Sequence, residues 1–240
     1  MAAGTSQRLR PLTEHIPKTL LSLNTTSILD HILDNVRTSG ITHVDVITGH
    51  GHDAVVDAGN AYAAKHPEMN INYVFNDVYH STGNIVSMRR ALDVVDDDFI
   101  LINSDTIFHA DILKKLATSP HANAMIIDDV KTLGDEEMKV TLDSNNETIT
   151  VIHKSLDPET SHGEYIGVMK LSRETKNSIL QALDDTIEKD NSLYYEDGIQ
   201  TAITDHGLQL HPISTDGLPA MEIDTPEDLA DAKKMILEMP

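Results

Sequence analysis

The chain has 240 residues, a formal net charge of −21 and no cysteine. An acidic surface of this strength repels nucleic acid and anionic lipid, so an anionic ligand would need a local basic pocket. The absence of cysteine excludes disulfides and thiolate nucleophiles, and no apolar run approaches the roughly 18 residues of a membrane span, so we expect a cytoplasmic protein without nucleic-acid or membrane partners.

The first 120 residues alternate between helix and strand patterns. Apolar residues at helical spacing predict a first helix after residue 27, with Ser27 as its N-cap and Gly40 as its stop. Further strands are predicted over 43–49, 71–76 and 98–105, and further helices over 53–66, 83–95 and 110–117. This alternation predicts a doubly wound, mostly parallel sheet in this half of the chain.

After residue 120 the pattern changes to antiparallel. Alternating residues on both sides of an Asp-Ser-Asn-Asn turn predict a hairpin over 138–154, between strands at 124–129 and 164–172. A helix is predicted over 173–185, and the last helix begins after Thr225, its N-cap, with Pro226 in the first position. No linker or repeat is present, so we expect a single α/β domain over residues 1–240 with a mixed central sheet.

Four features could converge at the carboxyl ends of the strands, where open α/β sheets bind ligands. The loop Ala2-Ala3-Gly4-Thr5-Ser6-Gln7 has small residues whose backbone can approach an anion closely. Arg8 and Lys18 follow it, Asp105 ends an apolar strand, and Asp224 precedes the last helix. Each feature alone has an ordinary explanation as a turn, a surface charge or a helix cap. Together they suit a triphosphate with Mg²⁺, which prefers oxygen ligands shared between protein and phosphate.

The stretch "AAGTSQRLRPLTEHIPKTLL" resembles the signature of the sugar nucleotidyltransferases. The segments "STGNIVSMRRAL", "ILINSDTIF", "HGEYIGVMKLS", "YYEDGI" and "MEIDTPEDLADA" follow in the order expected for the cytidylyltransferase branch, which uses phosphocholine, inositol phosphate and related phospho-alcohols. The resemblance implies a Rossmann-like three-layer α/β/α fold. Residues 1–120 would mainly bind the nucleotide, residues 121–220 the acceptor, and residues 221–240 would supply a metal-binding Asp and the C-terminal helix.

The same resemblance implies a role for each matching residue. Backbone contacts to the nucleotide would come from Ala2, Ala3 and Gly4, contacts to the phosphates from Arg8 and Lys18, and contacts to the base from the region of Gly83, Asn84 and Ser87. Asp105 and Asp224 would bind Mg²⁺, and the acceptor would meet Lys154, Glu164, Tyr194, Tyr195, Glu196 and Asp197. The implied reaction transfers a cytidylyl group from CTP to a small phospho-alcohol and releases pyrophosphate.

Two departures from the family pattern create further expectations. Ser6 stands where the family has a second loop glycine, which requires that its backbone avoid positive φ. The hydrophobic strand that precedes the loop in the family is absent, so we expect Met1 to be an internal methionine of a longer chain.

Several alternatives remain open. A sugar-1-phosphate nucleotidyltransferase using UTP or dTTP and a catalytically inactive nucleotide-binding module are both compatible with the sequence. The acceptor could be a quaternary ammonium compound held by Tyr194, Tyr195 and their acidic neighbours through cation–π contact, or a polyol phosphate held by Glu164. The sequence does not indicate an oligomeric state.

Overall fold

A computed structural model of the chain describes residues 1–4 and 6–239, with only the backbone of Gln7. Thr5, part of the predicted anion-binding loop, lies outside the described residues. The described helices are α1 (Ile28–Thr38), α2 (His52–Lys65), α3 (Asn84–Val94), α4 (Ala110–Thr118), α5 (Lys176–Lys189), α6 (Tyr195–His206) and α7 (Pro226–Glu238). Short 3₁₀ turns occur at Gln7–Leu9, Lys18–Leu20 and Arg173–Thr175.

The strands are short, and most of them precede or follow a helix. They are β1 (Ser22–Leu23), β2 (Thr26–Ser27), β3 (His43–Thr48), β4 (Asn70–Phe75), β5 (Phe99–Ile102), β6 (Thr106–Phe108), β7 (Ala124–Asp128), β8 (Lys139–Leu142), β9 (Ile149–His153), β10 (Gly163–Leu171), β11 (His211–Ser214) and β12 (Ala220–Glu222).

The central sheet is mixed and has β10 in its middle. Its strand order is β11-β7-β10-β8-β9, and β5 pairs with the end of β10 beyond β8. All three partners of β10 run antiparallel to it, whereas β11 is parallel to β7 and β3 is parallel to β4. The predicted mixed sheet is therefore confirmed: β3 and β4 of the first half pair in parallel, and β5 pairs antiparallel with β10 of the second half. A strand buried on both faces is apolar in either direction, so its sequence does not reveal its orientation.

Two alternating sets of side chains on the central strands face two hydrophobic cores. Ala124 and Ile126 of β7 join the core that contains α1, α4 and α7. Met125 and Ile127 of the same strand join the core that contains α3, α5 and α6. This alternation is the period-two pattern of a strand covered on both faces, and it gives the three-layer α/β/α arrangement. Within the described residues, no helix is long and apolar enough to cross a membrane.

The first two residues lie between the ends of β3 and β5. The Ala2 amide donates to the Ile47 carbonyl at 2.7 Å, and the Met1 nitrogen donates to the Ile102 carbonyl at 2.6 Å. Ala2 also forms a single parallel bridge with Thr48. These contacts place the following loop at the carboxyl ends of both strands.

Pairing of β12 with β6 brings the C-terminal segment to the same edge. Glu222 lies opposite Thr106, and the Ile223 amide donates to the carbonyl of Asp105 at 3.0 Å. One residue later the chain reaches Asp224 and then α7, whose predicted start is confirmed: the Thr225 hydroxyl accepts from the Asp228 amide, and Pro226 occupies the first turn. The capping of α1 by Ser27 is confirmed in the same way.

Candidate active site

A cavity of about 150 Å³ opens at the carboxyl ends of β3, β4 and β5. Its lining includes all six residues predicted to bind the nucleotide, which are Ala2, Ala3, Gly4, Gly83, Asn84 and Ser87. Lys18 and Asp105 also line it. The cavity is also lined by four residues that were not predicted from the sequence: Asn76, Tyr79, Thr82 and Asn103. Asn76 and Asn103 are polar residues directly after a strand, the same signal that identified Asp105.

Asp105 and Asp224 meet on a single ammonium group. The Nζ atom of Lys18 lies 3.0 Å from Oδ2 of Asp105 and 2.8 Å from Oδ1 of Asp224. These two carboxylate oxygens are therefore at most 5.8 Å apart, the sum of the two distances. The other oxygen of Asp224 accepts from Arg8 at 2.6 Å. Residues 206 positions apart are thus joined beside the N-terminal loop.

Burial and ion pairing act on this cluster in opposite directions. Burial of Lys18 opposes its charge, but Asp105 and Asp224 hold the pKa of Lys18 above its ordinary value. Burial likewise opposes the charge of Asp224, yet Lys18, Arg8 and the nearby Lys154 lower the pKa of that carboxyl. Both Lys18 and Asp224 therefore remain ionised at neutral pH.

The two carboxylates fit a divalent cation such as Mg²⁺. Both offer hard oxygen ligands in a position where a cation already resides, the ammonium of Lys18. Among the described residues, no group of three or more His, Cys, Asp or Glu side chains could hold a metal ion. The protein would supply two ligands, which leaves room for phosphate oxygens and water, as Mg²⁺ usually requires.

The N-terminal loop departs from one expectation. Ser6 adopts φ of 45°, in the left-handed region that it was expected to avoid. Its carbonyl accepts from the Thr13 hydroxyl at 2.8 Å and from the Leu9 amide at 3.2 Å. These hydrogen bonds hold a conformation that costs a non-glycine residue on the order of 1 kcal/mol.

The predicted base-binding residues lie where α3 begins. A Cβ atom at Gly83 would lie 1.9 Å from the Leu193 carbonyl oxygen, so only glycine fits there. Ser87 is buried and accepts from Nδ2 of Asn76 at 3.0 Å. The structure therefore places Gly83, Asn84 and Ser87 in the lining of the cavity.

The predicted acceptor residues fall into different environments. The Nζ atom of Lys154 lies 5.4 Å from the centre of the half-exposed Tyr194 ring. The charge of Lys154 also helps to lower the pKa of Asp224. Glu164 accepts from Lys131 at 2.8 Å and is thus already paired, although burial raises its pKa. Tyr195 is fully buried, so its predicted contact with an acceptor is not available in this structure.

Glu196 and Glu222 are carboxylates without a cationic partner among the residues that the structure describes. Glu196 is 6% exposed, and its Oε2 has no hydrogen-bond partner among the described residues. Burial raises its pKa to about 7, and Asp197 and Asp105 add to the rise. Glu222 was not predicted; burial and the fields of Asp105, Glu164 and Asp224 raise its pKa. Its position two residues before Asp224 on β12 was the available signal.

The mixed α/β sheet, the paired carboxylates, the two cations and the small-residue loop together have the chemistry that suits phosphates and a divalent cation. Residues 1–140 match the nucleotidyl transferase family model. The chain belongs to the nucleotidyl transferase family, and the prediction of a nucleotidyltransferase is confirmed at that level.

The relatives include proteins named for CMP or CTP and proteins named otherwise. The chain is 34% identical over 126 residues to the CMP-5'-(3-aminopropyl)phosphonate synthase of Streptomyces rubellomurinus, covering 52% of this chain and 19% of that protein. It is 30% identical over 161 residues to the bifunctional protein GlmU of Methanocaldococcus jannaschii, covering 67% of this chain and 36% of that protein. It is 24% identical to the CTP:phosphoglutamine cytidylyltransferase of Campylobacter jejuni, covering 80% of each. The chain thus spans well under half of the first two relatives.

Solved structures share the whole fold. The inositol-1-phosphate CTP transferase of T. maritima superposes with a TM-score of 0.82 at 19% identity, over 99% of this chain and 93% of that one. The CTP:phosphocholine cytidylyltransferase of Streptococcus pneumoniae gives a TM-score of 0.72 at 19% identity, over 98% and 96%. These likenesses confirm the predicted Rossmann-like nucleotidyltransferase fold.

Proposed function

We propose that this protein transfers a cytidylyl group from CTP to a small phosphorylated acceptor, with Mg²⁺, and releases pyrophosphate. The convergence of Asp105 and Asp224 on Lys18, beside the loop of residues 2–6, is the observation that carries the proposal. In this proposal residues 1–120 mainly bind the nucleotide, residues 121–220 mainly bind the acceptor, and residues 221–240 contribute Asp224 and α7.

The reaction requires alignment and charge neutralisation. An oxygen of the acceptor phosphate attacks the α-phosphorus of CTP, a new P–O bond forms, and the bond to the β-phosphate oxygen breaks as pyrophosphate leaves. The acceptor oxygen is already anionic near neutral pH, so no dedicated base is needed. Lys18 and Arg8 would bind the phosphates and offset their repulsion. A divalent cation bound by Asp105 and Asp224 would supply further charge neutralisation at the phosphates.

The names of several similar proteins favour cytidine as the base. The Streptomyces, Campylobacter, T. maritima and Streptococcus proteins are all named for CMP or CTP. The GlmU relatives and the UTP–glucose-1-phosphate uridylyltransferase of Haloferax volcanii, 27% identical over 133 residues, support the alternative of a sugar-1-phosphate acceptor. Which nucleoside triphosphate the protein uses is therefore the first property to determine.

The charges near the aspartates favour an acceptor that carries a cationic group. Glu164, the candidate for binding hydroxyl groups, is already paired with Lys131. Glu196 and Glu222 have no cation to neutralise them in the part of the chain described, and burying an uncompensated carboxylate is unfavourable. An ammonium group on the acceptor would supply the missing charge while its phosphate meets Lys154. The name of the Streptomyces relative includes an aminopropyl phosphonate, a compound of this type.

An assay of pyrophosphate release distinguishes the proposed function from its alternatives directly. Each of the four common nucleoside triphosphates would be combined with Mg²⁺ and with phosphocholine, 3-aminopropylphosphonate, inositol 1-phosphate or glucose 1-phosphate. Turnover with CTP and a cationic acceptor supports the proposal, whereas turnover with UTP or dTTP and glucose 1-phosphate supports the alternative. If no combination releases pyrophosphate while CTP still binds, the protein is a nucleotide-binding module.

A further inference from the structure

Tyr195 makes hydrogen bonds to two asparagines that line the cavity. Its backbone amide donates to Oδ1 of Asn84 at 2.8 Å, and its hydroxyl donates to Oδ1 of Asn103 at 3.1 Å. Asn84 lies at the start of α3, and Asn103 directly follows β5. A residue of α6, on the predicted acceptor side of the chain, therefore contacts both elements that border the nucleotide cavity.

These contacts fix the orientation of both carboxamide groups. A carboxamide has one oxygen, which accepts, and one NH₂ group, which donates. Since Tyr195 occupies the oxygen of Asn84 and of Asn103, each NH₂ group has a defined direction. Both asparagines line the cavity, and neither NH₂ group donates to a protein acceptor in the portion of the chain described by the structure. Two oriented donors are thus left for a ligand.

The fold makes a specific space for Asn103. Gly167 lies in the irregular part of β10 with φ of 79°, and its carbonyl accepts from the Asn103 amide at 2.8 Å. A Cβ atom at Gly167 would lie 2.7 Å from Nδ2 of Asn103. Irregularities of this kind re-aim side chains near functional sites. The backbone of β10 and the hydroxyl of Tyr195 therefore hold Asn103 from two directions.

We propose that Tyr195 is a positioning residue that holds the side-chain amides of Asn84 and Asn103 with their NH₂ groups available to oxygen atoms of the bound nucleotide. The role rests on the proposed function, since it requires that the cavity bind a nucleoside triphosphate. It differs from the acceptor contact expected from the sequence, because the fully buried Tyr195 acts through the two asparagines.

A second tyrosine provides a matched control. The hydroxyl oxygens of Tyr195 and Tyr165 are 2.9 Å apart, and both rings are buried. Asn103 Oδ1 can only accept, so its bond requires the single hydroxyl hydrogen of Tyr195, whereas a hydrogen of either tyrosine can make the bond between the two hydroxyls. The substitution Tyr165→Phe thus removes a hydroxyl from the same buried pair but keeps the bond to Asn103.

The test measures the dissociation constant of CTP by calorimetry, without an acceptor, in wild type and in the Tyr195→Phe and Tyr165→Phe variants. We expect Tyr195→Phe to raise the dissociation constant of CTP about five- to tenfold, the effect of one lost orienting hydrogen bond. Tyr165→Phe should change this dissociation constant less than about twofold. Equal effects of the two variants would overturn the proposal. Failure of the wild type to bind any nucleoside triphosphate would instead overturn the proposed function.

A double-mutant cycle separates positioning from a general loss of structure. If Tyr195 acts through Asn103, then Tyr195→Phe should cause little further weakening of CTP binding in an Asn103→Ala background. An undiminished effect in that background contradicts the proposal. If Tyr195→Phe does not fold, the Asn103→Ala variant alone tests the proposal. It should weaken CTP binding at least as much as expected for Tyr195→Phe, and an unchanged dissociation constant overturns the proposal.

Discussion

Lys18 and Asp224 form an ion pair of 2.8 Å in which the lysine also contacts Asp105, so that one ammonium group joins both candidate metal ligands. Arg8 occupies the second oxygen of Asp224. Two carboxylates are thus balanced by two cations. A divalent cation entering alone would have to displace Lys18, whereas a triphosphate would attract Lys18 and Arg8 and release the carboxylates.

This balance predicts that Lys18 competes with the metal. In the absence of nucleotide, Lys18→Met should bind Mn²⁺ about tenfold more tightly than wild type, because a direct competitor for the carboxylates is removed. Binding can be followed by electron paramagnetic resonance of free Mn²⁺. Lys154→Met is the control, since Lys154 acts on Asp224 through its field without forming an ion pair with it in the described residues. Equal affinities of the two variants would contradict direct competition.

Asp105 should be required for turnover but not for folding. Asp105→Asn keeps the shape of the side chain and removes its charge, so the affinity for the divalent cation falls and the phosphates lose neutralisation. We expect kcat to fall at least about 100-fold, as for other groups that stabilise developing charge. Pyrophosphate release measures kcat, and circular dichroism checks the fold. The exposed Asp231→Asn is the matched control, and near wild-type turnover by Asp105→Asn would refute the role proposed for Asp105.

The meeting of Asp105 and Asp224 could be predicted because it depends on a general rule. Polar residues at the carboxyl ends of strands collect at one edge of an open sheet, and the capping signals before α7 identified where Asp224 stands. The direction of β10 could not be predicted, since a strand buried on both faces has the same apolar pattern in either direction. For that reason the antiparallel pairing of β5 with β10 was missed.

The acceptor side was harder to predict because it depends on which residue pairs with which. The segment around Tyr195 was compatible with a cation pocket or with a helix start that buries one ring, and the structure shows the helix start. Nothing in the local sequence indicates that Lys131, 33 residues away, donates a hydrogen bond to Glu164. Such long-range pairs arise from the tertiary fold and leave no short-range pattern.

The positive φ of Ser6 leads to a prediction about stability. Ser6→Gly should relieve the left-handed strain while keeping both hydrogen bonds to the residue 6 carbonyl, which come from Thr13 and Leu9. We expect the free energy of unfolding to rise by about 0.5–1 kcal/mol, since the gain exceeds the extra entropy of glycine in the unfolded chain. Urea denaturation measures the change. A serine with negative φ, Ser39, serves as the control: Ser39→Gly should not stabilise the protein, and a loss of stability in Ser6→Gly would contradict the interpretation.

Glu196 should make stability fall as pH rises. Burial raises its folded-state pKa from the ordinary 4.5 to about 7, and Asp197 and Asp105 contribute. Between these values the folded state binds more protons than the unfolded state, so the free energy of unfolding decreases with increasing pH across that window. The decrease attributable to this group is at most about 3.5 kcal/mol, from roughly 1.4 kcal/mol for each tenfold change in proton affinity. Below pH 4.5 the contribution is fully present, and above pH 7 it is lost.

Thermal unfolding of Glu196→Gln between pH 5 and 8 measures this contribution. The variant cannot ionise at this position, so its midpoint should fall less with pH than that of wild type, and the two curves should diverge most above pH 7, where wild-type Glu196 is charged. The exposed Glu174→Gln is the control and should follow wild type across the range. Parallel curves for wild type and Glu196→Gln would show that the buried carboxyl is already neutralised by a group other than a bound proton.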